Sequence, residues 1–406
     1  MLHTTKKLLP ALVLGALSGT ASAAGFQLME QSASGLGNAF AGSAAVAENA
    51  STIYYNPAGM TQLQGRNASI GANFIDLSAK YTNKPRGATS LPAQAVDGGD
   101  DGLVPNGYLS YQLNDKWWLG IGIGAPFGMR TNYQRGWTGS VTAMDTDIKS
   151  MNINPSVAYK VNDAFSVGFG LDYMKFKATY SQNAGALGVL TVKGDDTAWG
   201  WNAGALWNLS ERTRLGLSYR SEIKQNLTGN YTTSTPFNGA AGLNLTLPET
   251  WILSAYHKLN DRVELLADVS QTGWSSVPEI LIKVPTLTPV GGQVKKPYHW
   301  GDTLRVALGA NYAVNDAFKL RFGVAFDEGV VSDQYRTARL PDQKRTWLTV
   351  GAQYKTSKDS AIDVGYAYIA SKTASVHDPV AGTPLYLDGE FKSKVQVLGA
   401  QYSFSF

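Results

Sequence analysis

The residue types that usually carry catalysis or bind metals are few and scattered in this sequence. Cysteine is absent, so no thiolate can act as a nucleophile or a metal ligand. The four histidines, His3, His257, His299 and His377, do not cluster, and neither His257 nor His299 accompanies a recognisable serine or aspartate constellation. Gly35-Leu36-Gly37 follows no strand of a βαβ unit, so it is not a dinucleotide fingerprint, and there is no Walker sequence. The sequence therefore predicts a protein that is not an enzyme and has neither metal nor cofactor.

The first 23 residues have the layout of a secretory signal peptide. Lys6 and Lys7 precede an apolar run from Leu8 to Leu17, and the small residues Ala21-Ser22-Ala23 follow. The remainder has no apolar stretch near the roughly 18 residues that a spanning helix needs.

Lysine and arginine number 35 against 31 aspartates and glutamates, without runs of like charge, so nucleic acid is not an expected partner.

The composition points to strands with two different faces. The chain has 43 Gly, 20 Tyr, 14 Phe and 10 Trp, and 16% of its residues are charged. Its mean hydropathy of −0.16 is too low for a helical membrane protein. Such values are typical of membrane strands in which apolar and polar residues alternate.

Alternation with a period of two is the strongest signal in the chain. It is clearest at 304–312, 318–327, 167–173 and 362–368, where every second residue is apolar. The other face is mostly Gly, Ala, Ser and Asn, which favours a membrane barrel over a soluble sandwich with an exposed face rich in Lys, Glu and Thr. Since Lys or Arg facing lipid at mid-membrane costs about 2 to 4 kcal/mol, the basic residues of these segments should line the interior. They are Arg305, Lys319 and Arg321.

The pattern predicts an all-β fold, a transmembrane antiparallel β-barrel of about fourteen strands with a plug inside. The last strand ends on Phe406, and residues 24–65 lack the alternation. A barrel this wide must hold water or a plug, so we assign 1–23 to the signal peptide, 24–65 to a plug or hatch and 66–406 to the barrel. The predicted strands are 66–82, 104–113, 117–128, 146–161, 164–181, 195–209, 212–229, 243–259, 261–284, 303–314, 317–331, 345–356, 360–374 and 391–406.

Several motifs, taken in order, resemble those of the FadL-type outer-membrane long-chain fatty acid transporters. In the hatch they are Ala24–Leu28, Ser34–Ala39 and Asn56-Pro57-Ala58. The resemblance spans essentially the whole mature chain, and it implies a fourteen-stranded barrel, an N-terminal hatch, a monomer and hydrophobic ligands that leave through a gap in the wall. The matching motifs in the barrel are Gly200–Gly204, Leu217–Glu222, Leu245–Trp251, Pro341–Gln343 and Ile362–Gly365.

The third predicted strand contains a candidate for that gap. Gly120, Gly122 and Gly124 leave one face without side chains, and Pro126 cannot donate to a strand ladder. A proline inside the wall leaves a neighbouring carbonyl unpaired unless the strand bends away. We therefore predict a lateral gate here; the alternative is that Pro126 merely lies in a loop at the end of the strand.

The resemblance also implies ligand-binding residues. Phe26 resembles the residue that reaches into the family's high-affinity pocket and links ligand binding to hatch movement. A fatty acid carries a carboxylate on an apolar tail, so its site needs an apolar tunnel with basic groups at one end. Alignment with the family places Lys177 and Lys296 at such positions, and the alternative is that both are solvated surface lysines.

The resulting functional hypothesis is passive uptake across the bacterial outer membrane. The expected partners are membrane lipid and a hydrophobic small molecule, first of all a long-chain fatty acid. The connection at 181–194 is shorter than in the best-known fatty acid transporter of the family, so aromatic or other hydrocarbons remain an alternative. A general aqueous porin is a third possibility, and it requires an open lumen without a plug.

Overall fold

The computed structural model describes residues 25–288 and 291–406, and these residues are almost entirely β-structure. The predicted signal peptide lies outside the described residues. Two short helices, α1 (Ala33–Leu36) and α2 (Thr52–Tyr55), precede the strands, and none of the described helices is long and apolar enough to cross a membrane. Short 3₁₀ helices lie at Pro57–Gln62, Thr138–Val141, Gly185–Leu187 and Trp274–Ser276. The strands are β1 (Arg66–Asn83), β2 (Ala95–Asp97), β3 (Asp101–Gln112), β4 (Trp117–Gly124), β5 (Gly128–Asn132), β6 (Asp145–Lys160), β7 (Phe165–Asn183), β8 (Val189–Ser210), β9 (Thr213–Arg220), β10 (Ile223–Thr232), β11 (Asn238–Leu247), β12 (Thr250–Lys258), β13 (Val263–Thr272), β14 (Glu279–Lys283), β15 (Gln293–Pro297), β16 (Thr303–Ala313), β17 (Phe318–Asp327), β18 (Arg345–Ser357), β19 (Ser360–Ser371), β20 (Ala374–Pro379) and β21 (Tyr386–Ser405).

These strands form one antiparallel sheet that closes into a barrel. Closure comes from β1, which pairs with β21 from Asn67↔Ser405 to Asn83↔Gly389. Four strands, β2, β14, β15 and β20, only extend the loops at one end. The third, seventh and eighth strands of the wall each consist of two segments, β4 with β5, β9 with β10 and β11 with β12. The wall therefore has fourteen strands, which confirms the predicted fold class and count.

The predicted strand bounds need correction in several places. The segments 117–128, 212–229 and 243–259 are each broken near the middle or end, and 261–284 joins β13 to β14, which belongs to a separate hairpin with β15. In addition, β8 begins at Val189 instead of residue 195, since β7 and β8 remain paired up to Asn183↔Val189.

Asparagine builds the short turns at one end of the barrel. Asn162 Oδ1 accepts hydrogen bonds from the backbone N–H groups of Ala164 (2.9 Å) and Phe165 (2.8 Å), an arrangement that closes a tight turn. Short turns mark the periplasmic end of outer-membrane barrels, so the long loops at the opposite end are extracellular. The same two bonds are made by Asn114, Asn260 and Asn315.

The two faces of the wall follow the alternation of the sequence. On β16, Leu308 is 57% exposed towards lipid, whereas its neighbour Ala307 is buried inside the barrel. Exposed aromatic side chains form pairs at both edges of the apolar band, as expected where rings meet lipid headgroups. The pairs include Trp117–Tyr159, with ring centroids 4.6 Å apart, and Tyr219–Trp251, with centroids 4.3 Å apart.

Residues 25–65, which we call the hatch, fill the lumen, and the glycines of the inner face let its backbone approach the wall. A Cβ added at Gly323 would lie 2.2 Å from the carbonyl carbon of Asn38, too close for any side chain. The basic residues that were predicted to point inward bind the hatch and connect it to the wall. Arg305 Nη2 donates to the backbone oxygen of Ala39 (2.7 Å), and Arg321 lies 2.7 Å from Glu48 of the hatch.

Candidate ligand-binding site and wall opening

A cavity of about 770 Å³, counting its open mouth, lies at the extracellular end and is mostly apolar. We call it the upper pocket. A smaller space of about 260 Å³, which likewise includes open solvent, shares Tyr180, Val192 and Ile282 with it; we call this space the lower pocket, and the two adjoin. Leu227, Ala241 and Leu243 add to the lower pocket. The other apolar residues of the upper pocket include Leu190, Ile280, Val294 and Tyr298.

Basic residues lie at one side of the upper pocket. Lys296 Nζ forms an ion pair with Asp378, whose carboxyl group is buried. Burial raises the pKa of Asp378, and the nearby positive charge of Lys296 opposes that rise. Arg339 differs from Lys296, because within 25–288 and 291–406 its guanidinium has only neutral hydrogen-bond partners. It donates to Gln182 Oε1 (2.7 Å) and Thr146 Oγ1 (3.3 Å) and lies over the ring of Tyr180.

The two lysines named from the sequence have different positions. Lys296 lines the upper pocket, as its assignment requires. Lys177 lies on the outward-facing register of β7, between the inward-facing Phe176 and Ala178, and is exposed. Its side chain does not point into the lumen, whereas a ligand-binding role in the apolar tunnel requires an inward side chain. Sequence reasoning missed Arg339; the signal available was its place two residues before Pro341, where a family motif begins.

Phe26 lies in an aromatic cluster deep in the lumen. It is 3% exposed, and its ring centroid lies 4.8 Å from that of Trp274. Phe127, Phe176 and Trp300 surround it, with centroids 5.9, 6.2 and 5.8 Å away. The same apolar core contains the pocket residues Leu190, Leu227, Leu243, Ile280 and Ile282. The pockets and Phe26 therefore belong to one continuous apolar region.

Strand pairing in the wall is interrupted beside Pro126. The pairing of β3 with β4 stops at Gly107↔Ile123, so residues 101–106 of β3 are paired with β1 alone, and β5 is paired in the sheet with β6 alone. If the register continued, Pro105 would lie opposite Ala125. Both edges of the gap thus carry a proline, and neither proline can donate a backbone hydrogen bond.

The start of the hatch supplies hydrogen bonds at this break. Leu28 N donates to the carbonyl oxygen of Pro126 (2.8 Å), and Gly128 N donates to that of Phe26 (2.9 Å). Gln31 Nε2 donates to the carbonyl oxygen of Ala125 (3.0 Å). Pro126 therefore does not lie in a free loop, since its backbone is paired with the hatch.

The three glycines of β4 face the lumen and meet the hatch. A Cβ at Gly120 would lie 2.4 Å from Met60 Sδ, one at Gly122 would lie 3.4 Å from Ile53 and one at Gly124 would lie 2.4 Å from Gln31 Oε1. Larger side chains at Gly120 and Gly124 would push the hatch away from the wall, whereas one at Gly122 would first meet the ring of Tyr108 on β3, 2.9 Å away. These glycines therefore make room for the hatch, in addition to forming one edge of the gap.

Asn56-Pro57-Ala58 anchors the hatch to the opposite wall. Asn56 Oδ1 accepts a hydrogen bond from Ala58 N (3.0 Å) and so caps the 3₁₀ helix that begins at Pro57. Asn56 Nδ2 donates to the carbonyl oxygen of Ala205 on β8 (2.9 Å). Space for this contact comes from Gly204, where a Cβ would lie 2.0 Å from Asn56 Oδ1.

Residues 14–406 match a protein family described as outer membrane protein transport protein (OMPP1/FadL/TodX). The chain belongs to this family. The FadL-type barrel, its outer-membrane location and its non-enzymatic class agree with the predictions from the sequence.

Similar proteins cover the chain almost completely. It is 31% identical to the long-chain fatty acid transport protein of Salmonella typhi, over 98% of this chain and 97% of that protein. It is 35% identical to a 47 kDa outer membrane protein of Pasteurella multocida, over 89% of this chain and 91% of that protein. Among solved structures, a Pseudomonas aeruginosa FadL homologue has a TM-score of 0.84 at 27% identity, covering 94% of this chain and all of that one. The toluene transporter TbuX of Ralstonia pickettii has a TM-score of 0.69 at 18% identity, over 92% of this chain and 98% of that one, and thus the same fold.

We expect Gly204→Val to loosen the hatch and make the barrel leaky to small sugars. The added side chain overlaps Asn56, and overpacking of this kind costs about 1–3 kcal/mol. Gly107→Val is the matched control, because a Cβ there meets nothing within 4 Å. Liposome swelling measures the leak, and equal swelling rates for both variants and the parent would contradict the docking role of Asn56-Pro57-Ala58.

Proposed function

We propose that this protein is a passive uptake channel for long-chain fatty acids. The observation that carries this proposal is Arg339, a permanently charged guanidinium without a carboxylate partner among the described residues, beside an apolar pocket. A carboxylate is the group that best matches such a donor, and an acyl chain is what best matches the apolar walls. The similarity to the fatty acid transport protein of Salmonella typhi over nearly the whole chain supports the same reading.

In this proposal the ligand follows the apolar region from the extracellular end to Phe26. The carboxylate stays near Arg339 and Lys296 while the tail extends through the lower pocket towards the aromatic cluster. No nucleotide motif provides an energy source, so net flow follows the concentration gradient. A single chain closes the barrel, and we propose that it works as a monomer.

Displacement of Phe26 is the step that we propose opens the exit. Phe26 and Leu28 are hydrogen-bonded through their backbones to Gly128 and Pro126 at the break in the wall. A tail that enters the cluster and moves Phe26 therefore pulls on the segment that occupies the gap. The ligand then leaves sideways between β3 and β5 into the outer membrane.

Uptake of aromatic hydrocarbons is the second candidate function. The related fold of the toluene transporter TbuX and the aromatic cluster around Phe26 favour it. An uncharged arene has no group that can pair with the guanidinium of Arg339. Hydrocarbon uptake is therefore the weaker candidate. An aqueous porin is weaker still, because the hatch fills the lumen.

Replacing Arg339 with Gln should weaken binding of oleate and leave binding of oleyl alcohol unchanged. A hydrogen bond to a charged group contributes about 1.5–3 kcal/mol, which corresponds to roughly 10- to 100-fold in affinity. Competition against a fluorescent fatty acid on the detergent-solubilised barrel measures both ligands. The same loss for acid and alcohol, or no loss for either, would rule out a head-group role for Arg339.

Binding of an anionic ligand should tighten as the pH falls. Because burial raises the pKa of Asp378, this carboxyl group takes up its proton at a higher pH than an exposed one and then releases Lys296 for the ligand. A long-chain alkyl sulfonate is the suitable probe, since its head group stays ionised throughout. Asp378→Asn is the control, because it has no carboxylate that can pair with Lys296: it should bind the sulfonate tightly at all pH values. A pH dependence that persists in Asp378→Asn would contradict the assignment.

Replacing both prolines at the gap with alanine should slow uptake without preventing binding. Pro105→Ala and Pro126→Ala restore the backbone donors that allow β3 and β5 to pair and narrow the opening. Uptake of labelled oleate by cells and binding by the purified barrel are measured together. Unchanged uptake in the double variant would exclude the lateral exit.

A further inference from the structure

One polar side chain interrupts the apolar surface next to the lower pocket. Gln225 lies on β10 with its side chain inward, between the inward-facing Ile223 and Leu227, and is 1% exposed. Its partner across the ladder is Leu245 of β11. Ile223, Leu227 and Leu245 all belong to the apolar core that contains Phe26. The amide of Gln225 is therefore surrounded by hydrocarbon.

Neither polar atom of this amide has a hydrogen-bond partner among the described residues. Leaving a buried donor or acceptor unpaired costs about 1–3 kcal/mol, so a glutamine in this place requires an explanation. Gln27, another buried glutamine in the lumen, shows what a purely structural amide does. Its Nε2 donates to Thr250 Oγ1 and its Oε1 accepts from Thr272 Oγ1, both at 3.0 Å.

Gln225 lies where the chain of a bound ligand would pass. Leu227 lines the lower pocket, and Gln225 is the next inward residue along β10 in the direction of Ile223 and the membrane. A second unpaired group belongs to the same core, the indole Nε1 of Trp274, which packs against Phe26. Two unsatisfied polar groups in an apolar passage point to a ligand that brings a polar atom to this depth.

We propose that Gln225 is a specificity residue that binds a hydroxyl group in the middle of a long acyl chain. The inference rests on the proposed function, in which the carboxylate stays near Arg339, so that a group reaching Gln225 belongs to the chain and not to the head. A hydroxyl can accept from Nε2 or donate to Oε1, whereas a plain methylene chain leaves both atoms unpaired. The ligand class is thus extended to hydroxylated long-chain fatty acids.

The test compares stearate with a series of hydroxystearates that carry the hydroxyl at successive mid-chain carbons. Dissociation constants are measured by competition on the full-length barrel in detergent. We expect the best hydroxystearate to bind roughly tenfold more tightly than stearate, which corresponds to one hydrogen bond of about 1.4 kcal/mol.

Two variants separate specificity from folding. Gln225→Leu should lose the preference and bind stearate at least as well as the parent, because the unpaired amide is gone. Leu245→Met, the matched control across the ladder, should keep the preference.

The possible failures are distinguishable. If the parent binds stearate but prefers no hydroxystearate, or if Gln225→Leu keeps the preference, the proposal is overturned and the amide holds at most a trapped water. If the parent does not bind stearate at all, the proposed fatty acid function is contradicted, and so is this inference, which rests on it.

Discussion

In a membrane, a backbone N–H or C=O group that is not paired within the protein has no water to bind, and this constraint governs the whole barrel. Strand pairing satisfies it around most of the wall, from the closing ladder of β1 and β21 to the hairpins joined by asparagine turns. One exception within the described residues lies between β3 and β5. There the first residues of the hatch take over part of the pairing, through the hydrogen bonds between Leu28 and Pro126 and between Phe26 and Gly128.

Because these bonds come from the hatch, the pairing at this break depends on the position of the first hatch residues. Away from this break, close contacts with the wall leave the hatch little room to move. Glycines such as Gly204 and Gly323 let its backbone approach the wall, and Arg305 on β16 and Arg321 on β17 fix it there. Its first residues are the part that contacts both the apolar core around Phe26 and the gap. In the proposed mechanism, these first residues respond to the ligand and the remainder of the hatch stays in place.

The sequence was sufficient for the architecture because a strand with one face to lipid and one to the lumen must alternate. The inward positions of Arg305 and Arg321 followed from the cost of placing a charge in lipid. The breaks in the seventh and eighth strands were not predicted, since apolar residues continue on both sides of Ser221 and Pro248.

Lys177 shows where the reasoning from alternation reached its limit. Below the aromatic edge at Tyr173, the apolar side chains of β7 face outward to lipid; above it, the outside is water and the inside is the ligand pocket. Apolar side chains therefore face outward below the membrane surface and inward above it. For this reason Phe176 faces inward and Lys177 faces outward. Arg339 was beyond prediction for a different reason, because it lies in a loop without period, and only the folded chain brings it to Lys296 and Tyr180.

In the proposed mechanism, a ligand in the apolar core loosens the backbone bonds that the hatch makes at the wall. Amide hydrogen exchange of Leu28 and Gly128, followed in the detergent-solubilised barrel with and without oleate, measures those bonds directly. We expect oleate to speed exchange at both amides, while amides of the closing ladder, such as that of Ile75, stay protected. Exchange at Leu28 and Gly128 that is unchanged or slowed by saturating oleate would contradict it.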